Sequence, residues 1–268
     1  MKFKTMLTTK LLESNLSAEE INMLPASYQS LGDICVIKLD KGLERYKKSV
    51  GNAILGLLPQ FKAVCVQGKI SGEYRRPEIE LIAGILPKEI TIHENGCTFR
   101  LNPQAIMYSQ GNHQEKKRMI ATVKDSEIIV DMFAGIGYFT VPIAKNHKNS
   151  TVYAIEKNPE SFKYLLENIR ANYLSNVIPI LSDAGKARVP QADRVIMGLI
   201  PSCKAFVKTA ARLTKKGAVI HYHGLAREKK EYALLNDFGD FKVRLLKTII
   251  VKGYKPHVNH VVLDIQLI

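Results

Sequence analysis

The sequence predicts an α/β fold: a doubly wound, mainly parallel, seven-stranded Rossmann-like sheet with a smaller N-terminal α+β domain. Two observations predict it. After about residue 112, apolar strand patterns alternate with amphipathic helix patterns, which is typical of parallel strands covered by helices. Between residues 61 and 102, strand patterns follow one another, and apolar–polar alternation around an "ENG" turn indicates a hairpin. The domains are therefore predicted at 1–102 and 103–268.

The N-terminal domain begins with about 30 residues of mixed sequence, in which Ser17 and Glu20 form a capping-box pattern that predicts a helix start. Apolar residues at helical spacing predict a second helix over 43–58. Strands are predicted at 33–39, 61–67 and 79–84, and a hairpin over 90–102. This pattern is typical of a small α+β unit with mainly antiparallel pairing.

The second domain has a regular order of strand and helix. Its predicted strands are at 127–133, 150–156, 177–183, 193–199, 218–223, 241–251 and 258–267. Its predicted helices are at 138–146, 158–174, 203–216 and 226–238. Pro142 fits this order, because a proline in the first turn of a helix removes no needed N–H group. The last two strands are predicted to form a hairpin at the edge of the sheet.

Composition indicates a globular protein with a polyanionic partner. The 268 residues include 39 Lys and Arg and 25 Asp and Glu, a net charge of +14. Such a surplus favours nucleic acid over the alternative, a merely solvated basic surface, because each neutralised phosphate releases counterions. No apolar run approaches the ~20 residues of a membrane span, and no secretory signal is visible, so we expect a cytoplasmic protein without membrane contact. The four cysteines lack metal-ligand spacing, which predicts free thiols and no metal site.

The segment "DMFAGIGYFTVP", residues 131–142, has the composition of a nucleotide-binding turn. It follows the first strand of the second domain, and ligands bind beyond the carboxyl ends of such strands. Gly135 and Gly137 would let a ligand approach the backbone, although a plain tight turn explains them equally well. Glu156 ends the next strand about 20 residues further on, where a ribose-binding acid is expected. The alternative is that Glu156 is a surface residue at the start of the next loop. The glycine turn and Glu156 together favour a nucleoside ligand.

The nucleoside is predicted to be S-adenosylmethionine and not a dinucleotide. The dinucleotide pattern requires a third glycine, and Thr140 stands at that position. Asp131 would be unfavourable beside a pyrophosphate, but it could meet the α-amino group of S-adenosylmethionine directly or through water. Asp183 and Ala184 end the third strand, where a carboxylate and a backbone N–H group could read the adenine edge. A helix cap is the alternative for Asp183.

Residues 102–119 join a polar loop to a basic helix just before this sheet. Ser109 offers a hydroxyl group and Lys116 a cation, which together could hold a carboxylate group of the ligand. The alternative is a connector whose charges face solvent, and the sequence leaves both interpretations open.

Six segments, taken in order, resemble the archaeal and eukaryotic enzymes that modify guanosine 37 of tRNA, over roughly residues 30–268. They are "MYSQGNHQEKKRM", "VDMFAGIGYFTVPIAK", "AIEKNPESFKYLLENIRANYL", "SDAG", "DRVIMGLIPS" and "VKGYKPHVNHVVLDI". Two class I methyltransferase-like enzymes share this framework: the tRNA guanine-37 N1-methyltransferase and the aminocarboxypropyltransferase of wybutosine synthesis. The segments are specific only in combination.

Three departures favour the aminocarboxypropyltransferase. The methyltransferase carries an Asn-Leu-Pro motif at the fourth strand, whereas this chain has "GLIPS" at 198–202. A Ser-Pro-Arg run of the methyltransferase is replaced here by "SQGN" at 109–112. The methyltransferase also tends to have an extra N-terminal module, for which we expect no room in this chain.

The resemblance implies transfer of the 3-amino-3-carboxypropyl group of S-adenosylmethionine to C7 of 4-demethylwyosine at position 37 of tRNA(Phe). It implies that Ser109 and Lys116 fix the amino-acid arm and that Phe133 packs on the cofactor. Ribose and adenine would be held by Glu156, Asp183 and Ala184. No general base is identified, although side chains are available at Tyr108, His113 and His221.

The expected partner is the anticodon loop of tRNA(Phe), bound by a monomer. The N-terminal domain and the basic clusters at 75–76 and 116–118 are candidate RNA contacts, and the sequence does not select among their basic residues. The alternatives are the N1-methyltransferase and a non-catalytic RNA-binding module.

Overall fold

The computed structural model describes residues 2–268, which divide into two compact units. The first unit contains the chain up to His93 together with Arg100–Tyr108, and the second contains Glu94–Phe99 and Ser109–Ile268. The domain boundary between residues 102 and 103 stays a prediction. Across residues 2–268, none of the helices combines the length and the apolar character that crossing a membrane demands.

Over the described residues, the first unit contains a four-stranded sheet with three α-helices. The strands are β1 (Gln29–Leu31), β2 (Ile34–Ile37), β3 (Ala63–Ser71) and β4 (Arg76–Gly84), and the helices are α1 (Phe3–Lys10), α2 (Ala18–Met23) and α3 (Lys47–Leu57). The strands lie in the order β1-β2-β3-β4; the outer pairs are antiparallel and the central pair is parallel. The capping box is confirmed, because Ser17 and Glu20 exchange backbone and side-chain hydrogen bonds at the start of α2.

The predicted hairpin around "ENG" is confirmed. Strands β5 (Ile90–Glu94) and β6 (Cys97–Leu101) pair with each other in a separate two-stranded sheet. Asn95 and Gly96 both have positive φ, 51° and 70°, as the two central residues of a tight hairpin turn require.

The second unit is built on a mixed sheet of seven strands. The strands are β7 (Ile128–Asp131), β8 (Thr151–Glu156), β9 (Val177–Leu181), β10 (Ala192–Met197), β11 (Thr214–Arg227), β12 (Val243–Lys255) and β13 (Val258–Leu267). The helices are α4 (His113–Thr122), α5 (Thr140–Asn146), α6 (Pro159–Ala171) and α7 (Val207–Leu213). The spatial order is β12-β13-β11-β10-β7-β8-β9, in which β13 is antiparallel to both its neighbours and the other pairs are parallel.

Successive residues of the central strands pack on opposite faces of this sheet. On β7, Ile129 packs with Met119 of α4 and Ile143 of α5, whereas Val130 belongs to the cluster that contains Val207 of α7. Because side chains alternate across a strand, this pattern means that both faces are covered by helices. The predicted α/β class with seven strands is therefore confirmed.

Two predicted helices are wrong in part. The helix predicted at 203–216 ends at Leu213, because β11 begins at Thr214. Residues 226–238 were expected to be helical, but β11 continues to Arg227 and only Glu231–Phe238 turns, as a 3-10 helix. The far half of β11 pairs residue by residue with β13, from Tyr222 opposite Leu263 to Arg227 opposite Val258. This ladder satisfies the backbone polar groups of the segment, so tertiary pairing overrides its local helical pattern.

Candidate functional site

The candidate site lies at the carboxyl edge of the seven-stranded sheet. Strand β7 ends there at Asp131, β8 ends at Glu156, and β9 ends just before Asp183. The chain passes from β7 to β8 and β9 on one side and to β10 on the other. Ligands of open α/β sheets bind at such a reversal of strand order, in the crevice beyond the carboxyl ends.

The turn after β7 requires both of its glycines. Gly135 and Gly137 have φ of +59° and +99°. A Cβ atom on Gly137 would lie 2.5 Å from Val141, and one on Gly135 would lie 2.6 Å from the ring of Tyr138. These contacts lie within the chain itself, so the tight-turn explanation of the glycines holds whether or not a ligand binds.

Glu156 clamps this turn from the end of β8. Its Oε2 accepts a hydrogen bond from the Gly135 N–H group at 2.7 Å, and its Oε1 accepts one from the Asn158 N–H group at 2.7 Å. The side chain is half-buried, and burial raises the pKa of its carboxyl group. A carboxylate has about four acceptor positions, so Glu156 keeps acceptor capacity for the hydroxyl groups of a ligand.

Asp131 is fully buried, and both of its oxygens are hydrogen-bonded. Thr140 donates to Oδ2 at 2.8 Å and the Phe133 N–H group donates to Oδ1 at 3.3 Å. Burial raises the pKa of Asp131 to about 6. The hydroxyl group at position 140, where a dinucleotide turn would have glycine, therefore joins the end of β7 to the start of α5. Contact between Asp131 and an ammonium group stays a prediction.

Asp183 and Ala184 form a polar and an apolar part of the same edge. Asp183 accepts a hydrogen bond from the Gly185 N–H group at 2.8 Å and pairs with Lys157 at 3.2 Å, and these contacts lower the pKa of its carboxyl group. Ala184 is buried in a cluster against which Phe133 and Phe206 pack. The two phenyl rings meet edge to face, with centroids 4.9 Å apart. Carboxylates and an apolar wall thus lie at one edge.

Ser109 and Lys116 are held by partners that sequence reasoning missed. The Ser109 hydroxyl accepts a hydrogen bond from Lys252 of β12 at 2.8 Å. Lys116 is buried and pairs with Glu94 at 2.6 Å, and burial lowers the pKa of its ammonium group. Its Nζ also lies 5.6 Å from the ring centroid of Tyr138, so Lys116 borders the glycine turn. No local sequence signal could have found Lys252, which is 143 positions from Ser109.

Of the basic cluster at 116–118, only Lys117 is exposed. Arg118 points inward and pairs with Glu115 at 2.7 Å and with Asp264 at 2.6 Å. Of this candidate RNA-contacting cluster, Lys116 and Arg118 are therefore paired with internal carboxylates, and Lys117 alone presents an exposed cation; contact with RNA stays a prediction.

The side chains considered as general bases have structural partners. His221 is buried between Asp264 and Arg194, with nitrogen–oxygen and nitrogen–nitrogen distances of 2.5 and 2.6 Å, and burial lowers its pKa. His113 lies 2.9 Å from Glu94. Tyr108 belongs to the first unit and is buried. None of these contacts singles out one side chain as the base.

At the end of β10, the structure leaves little space for a side chain at position 198. A Cβ atom on Gly198 would lie 3.2 Å from the ring of Phe139. An asparagine at this position, as in the Asn-Leu-Pro motif, would require the Phe139 ring to shift by a few tenths of an ångström.

Known families match most of the chain. The TRM5/TYW2 methyltransferase domain matches residues 91–240, and the TYW2 N-terminal domain matches residues 8–86. The chain is 41% identical to the tRNA(Phe) (4-demethylwyosine(37)-C(7)) aminocarboxypropyltransferase of Methanocaldococcus jannaschii, over 88% of this chain and 96% of that one. It is 35% identical to the tRNA (guanine(37)-N(1))-methyltransferase Trm5b of Pyrococcus abyssi, over 94% and 78%.

The fold is similar to that of a solved relative with a bound ligand. The crystal structure of P. horikoshii TYW2 in complex with MeSAdo superposes with a TM-score of 0.82 at 31% identity, over 99% of both chains.

Proposed function

The chain belongs to the TRM5/TYW2 methyltransferase domain family, and we propose that it transfers the 3-amino-3-carboxypropyl group of S-adenosylmethionine to C7 of 4-demethylwyosine at position 37 of tRNA(Phe). The observation that carries this proposal is the 41% identity to an aminocarboxypropyltransferase along nearly the full length of both chains. The glycine at position 198 supports it, because the methyltransferase motif has asparagine there and the Phe139 ring crowds the position. The protein is thus a transferase that uses S-adenosylmethionine and acts on tRNA.

The residues at the sheet edge fit this cofactor. Asp131, Glu156 and Asp183 place three carboxyl groups at the carboxyl ends of β7, β8 and β9. Such a site disfavours a pyrophosphate and favours a ligand with hydroxyl groups, a sulfonium and an ammonium group. We assign the ribose to Glu156, the adenine edge to Asp183 and Ala184, and an apolar contact to Phe133. Gly135 belongs to this set because its N–H group donates to Glu156, while its positive φ and the nearby Tyr138 ring disfavour a side chain at this position.

Three carbons flank the sulfonium of the bound cofactor, and the one that faces the base is transferred, so orientation decides the reaction. In our proposal, Ser109 and Lys116 hold the amino-acid arm, which must point toward the RNA base. The Lys252 bond keeps the loop of Ser109 in place, and the Glu94 carboxylate favours the charged form of Lys116 against the effect of burial. Asp131 would attract the α-amino group, and positioning carries most of the catalysis.

The finer architecture forms part of the proposal. We propose that the sheet is a doubly wound, Rossmann-like class I methyltransferase fold, with a catalytic domain at 103–268 and a tRNA-contacting α+β domain at 1–102. We further propose that the protein is a cytoplasmic monomer that binds the anticodon loop. The target base must leave the stack to reach a catalytic site, as enzymes that modify nucleic-acid bases generally require.

A labelling experiment tests the reaction. The protein would be incubated with tRNA(Phe) carrying 4-demethylwyosine and with S-adenosylmethionine labelled either in the carboxyl group or in the methyl group. We expect carboxyl label alone in the tRNA. Transfer of methyl label alone would support the second candidate, the guanine-37 N1-methyltransferase, which the 35% identity to Trm5b favours. Calorimetric titration with S-adenosylmethionine tests the third candidate, a non-catalytic RNA-binding module, which would give no heat of binding.

A further inference from the structure

Four exposed basic residues and one exposed tyrosine lie at the carboxyl edge of the seven-stranded sheet, where β11 ends and the β12–β13 hairpin turns. We call this group the basic rim; it consists of Arg227, Lys229, Lys230, Tyr254 and Lys255, which are all exposed. Its two halves are joined, because the Glu228 N–H group donates to the His257 carbonyl at 3.1 Å. Arg227 and Lys255 both pair with Val258. The rim is therefore one continuous surface.

The rim keeps its positive charge. Within residues 2–268, no ion pair involves Arg227, Lys229, Lys230 or Lys255. The two neighbouring acids have other contacts. Glu228 lies 3.4 Å from His257, and the buried Glu231 accepts a hydrogen bond from the Lys229 N–H group. Four cations on one surface are typical of a site for a polyanion.

An aromatic side chain lies among these cations. Tyr254 is 48% exposed. The pairing of β12 with β13 shifts register between Gly253 and Lys255, so Tyr254 occupies a bulge. Bulges redirect side chains and are frequent beside functional sites. Lys229 has a φ of 62°, a conformation that glycine adopts more easily, so the tight turn at 227–230 carries a lysine side chain at a cost in backbone strain.

The rim borders the proposed cofactor site. It lies at the same sheet edge as Glu156, because β8, β7, β10 and β11 are mutually parallel. Lys252, two residues before Tyr254, reaches Ser109, whose loop was assigned to the amino-acid arm of the cofactor. A substrate that brings its base to this arm must approach along the same edge.

We propose that the basic rim binds the phosphodiester backbone of the tRNA arm that carries the target base, and that Tyr254 stacks on an unpaired base beside it. This inference rests on the proposed function. Exposed lysine and arginine beside an exposed aromatic residue suit a single-stranded RNA loop, because cations contact the phosphates and rings stack on the unpaired bases.

The test compares two triple variants of the full chain that remove the same charge. One changes Lys229, Lys230 and Lys255 to alanine. The control changes Lys216, Lys242 and Arg244, which are exposed at the opposite edge of the sheet. Binding of fluorescein-labelled tRNA(Phe) transcript is measured by anisotropy between about 50 and 200 mM salt, a range over which phosphate contacts give a steep slope.

We expect the rim triple variant to weaken tRNA binding at least tenfold and to reduce the salt slope by about 2 to 3, because each lysine at a phosphate contributes about 0.9. The control triple variant should change neither quantity, and both should bind S-adenosylmethionine with the affinity of the unmodified protein by calorimetry. Tyr254→Ala should weaken binding of the transcript about tenfold, whereas Tyr254→Phe should keep it, because the ring suffices for stacking.

The outcomes separate this inference from the proposed function. If the unmodified protein binds tRNA and transfers carboxyl label while the rim triple variant binds as tightly as the control, the inference is overturned and the function stands. If the unmodified protein transfers only methyl label but the rim triple variant loses tRNA binding, the proposed function fails and the surface is confirmed. Equal loss in both triple variants would show non-specific attraction and would also overturn the inference.

Discussion

Replacement of Glu156 by glutamine tests the clamp on the glycine turn and the proposed ribose contact together. In the structure, one carboxylate oxygen accepts the Gly135 N–H group and the other accepts the Asn158 N–H group, both at 2.7 Å. Glutamine has one carbonyl oxygen and an NH₂ group. It can keep only one of these bonds, and its NH₂ group then faces the other backbone donor.

The structure sets the expected size of the effect. A hydrogen bond to a charged group contributes about 1.5–3 kcal/mol, so losing one in the turn should lower the free energy of unfolding by about 2 kcal/mol. Loss of a second charge-assisted bond, to the ribose, should weaken S-adenosylmethionine binding by a further 2 kcal/mol or so, about 30-fold. Urea denaturation without ligand measures the first quantity, and calorimetry measures the second.

Glu167→Gln is the matched control, because Glu167 lies on α6 and its ion pair within residues 2–268 is a 4.0 Å contact with Lys163. It should change stability by less than about 0.5 kcal/mol and leave cofactor affinity unchanged. A Glu156→Gln protein that loses stability but binds S-adenosylmethionine within twofold of the original affinity would refute the ribose assignment. Unchanged stability would refute the clamp.

Three further variants test other parts of the site. Burial raises the pKa of Asp131 to about 6, so the folded protein holds this proton more tightly than the unfolded chain does, and the penalty for ionising it grows as the pH rises from about 4 to about 6. In urea denaturation, Asp131→Asn should therefore match the stability of the unmodified protein near pH 4 and exceed it by up to about 3 kcal/mol at pH 7.5. Its affinity for S-adenosylmethionine should fall. An equal difference in unfolding free energy at both pH values would contradict the argument. Gly135→Ala should lower the free energy of unfolding by at least about 1–2 kcal/mol from its positive φ alone, and its Cβ atom would also collide with the Tyr138 ring at 2.6 Å. Calorimetry should detect no cofactor binding to this variant. Lys116→Met should lower the free energy of unfolding by about 3 kcal/mol, because Glu94 loses its ion-pair partner inside the fold. The double variant with Glu94→Gln should regain most of that stability. A double variant as unstable as the single one would show that the ion pair is not the cause.

Local pattern was sufficient to predict much of the second unit. The strand before residue 131, the turn with its two glycines and the strand ending at Glu156 lie where the spacing predicts them. Each depends on residues within one strand–turn–helix segment, so short-range rules apply. The hairpin at Asn95 and Gly96 and the capping box at Ser17 were predictable for the same reason, because both are set within four residues.

Long-range pairing limited the prediction elsewhere. Residues 218–223 match a predicted strand, but the extension of this strand to Arg227 depends on pairing with β13, which lies about 40 residues further along the chain. The helix α1 was missed, because its sequence "FKTMLTTK" has a weak apolar periodicity and only Leu7 is buried. In both cases the deciding energy comes from a partner that the local sequence does not contain.

The sequence by itself determined the class of this protein: an α/β chain whose glycine turn and acidic strand end indicate a nucleoside cofactor, with a surplus of positive charge for RNA. Those features depend on spacing along the chain and on composition. Only the tertiary structure decided which charges are available. It pairs Lys116 with Glu94 and Arg118 with Asp264 inside the fold, brings Lys252 to Ser109, and leaves the basic rim exposed. The physical reason is that burial and counter-charge, which arise from residues distant in sequence, determine whether a cation can meet a phosphate.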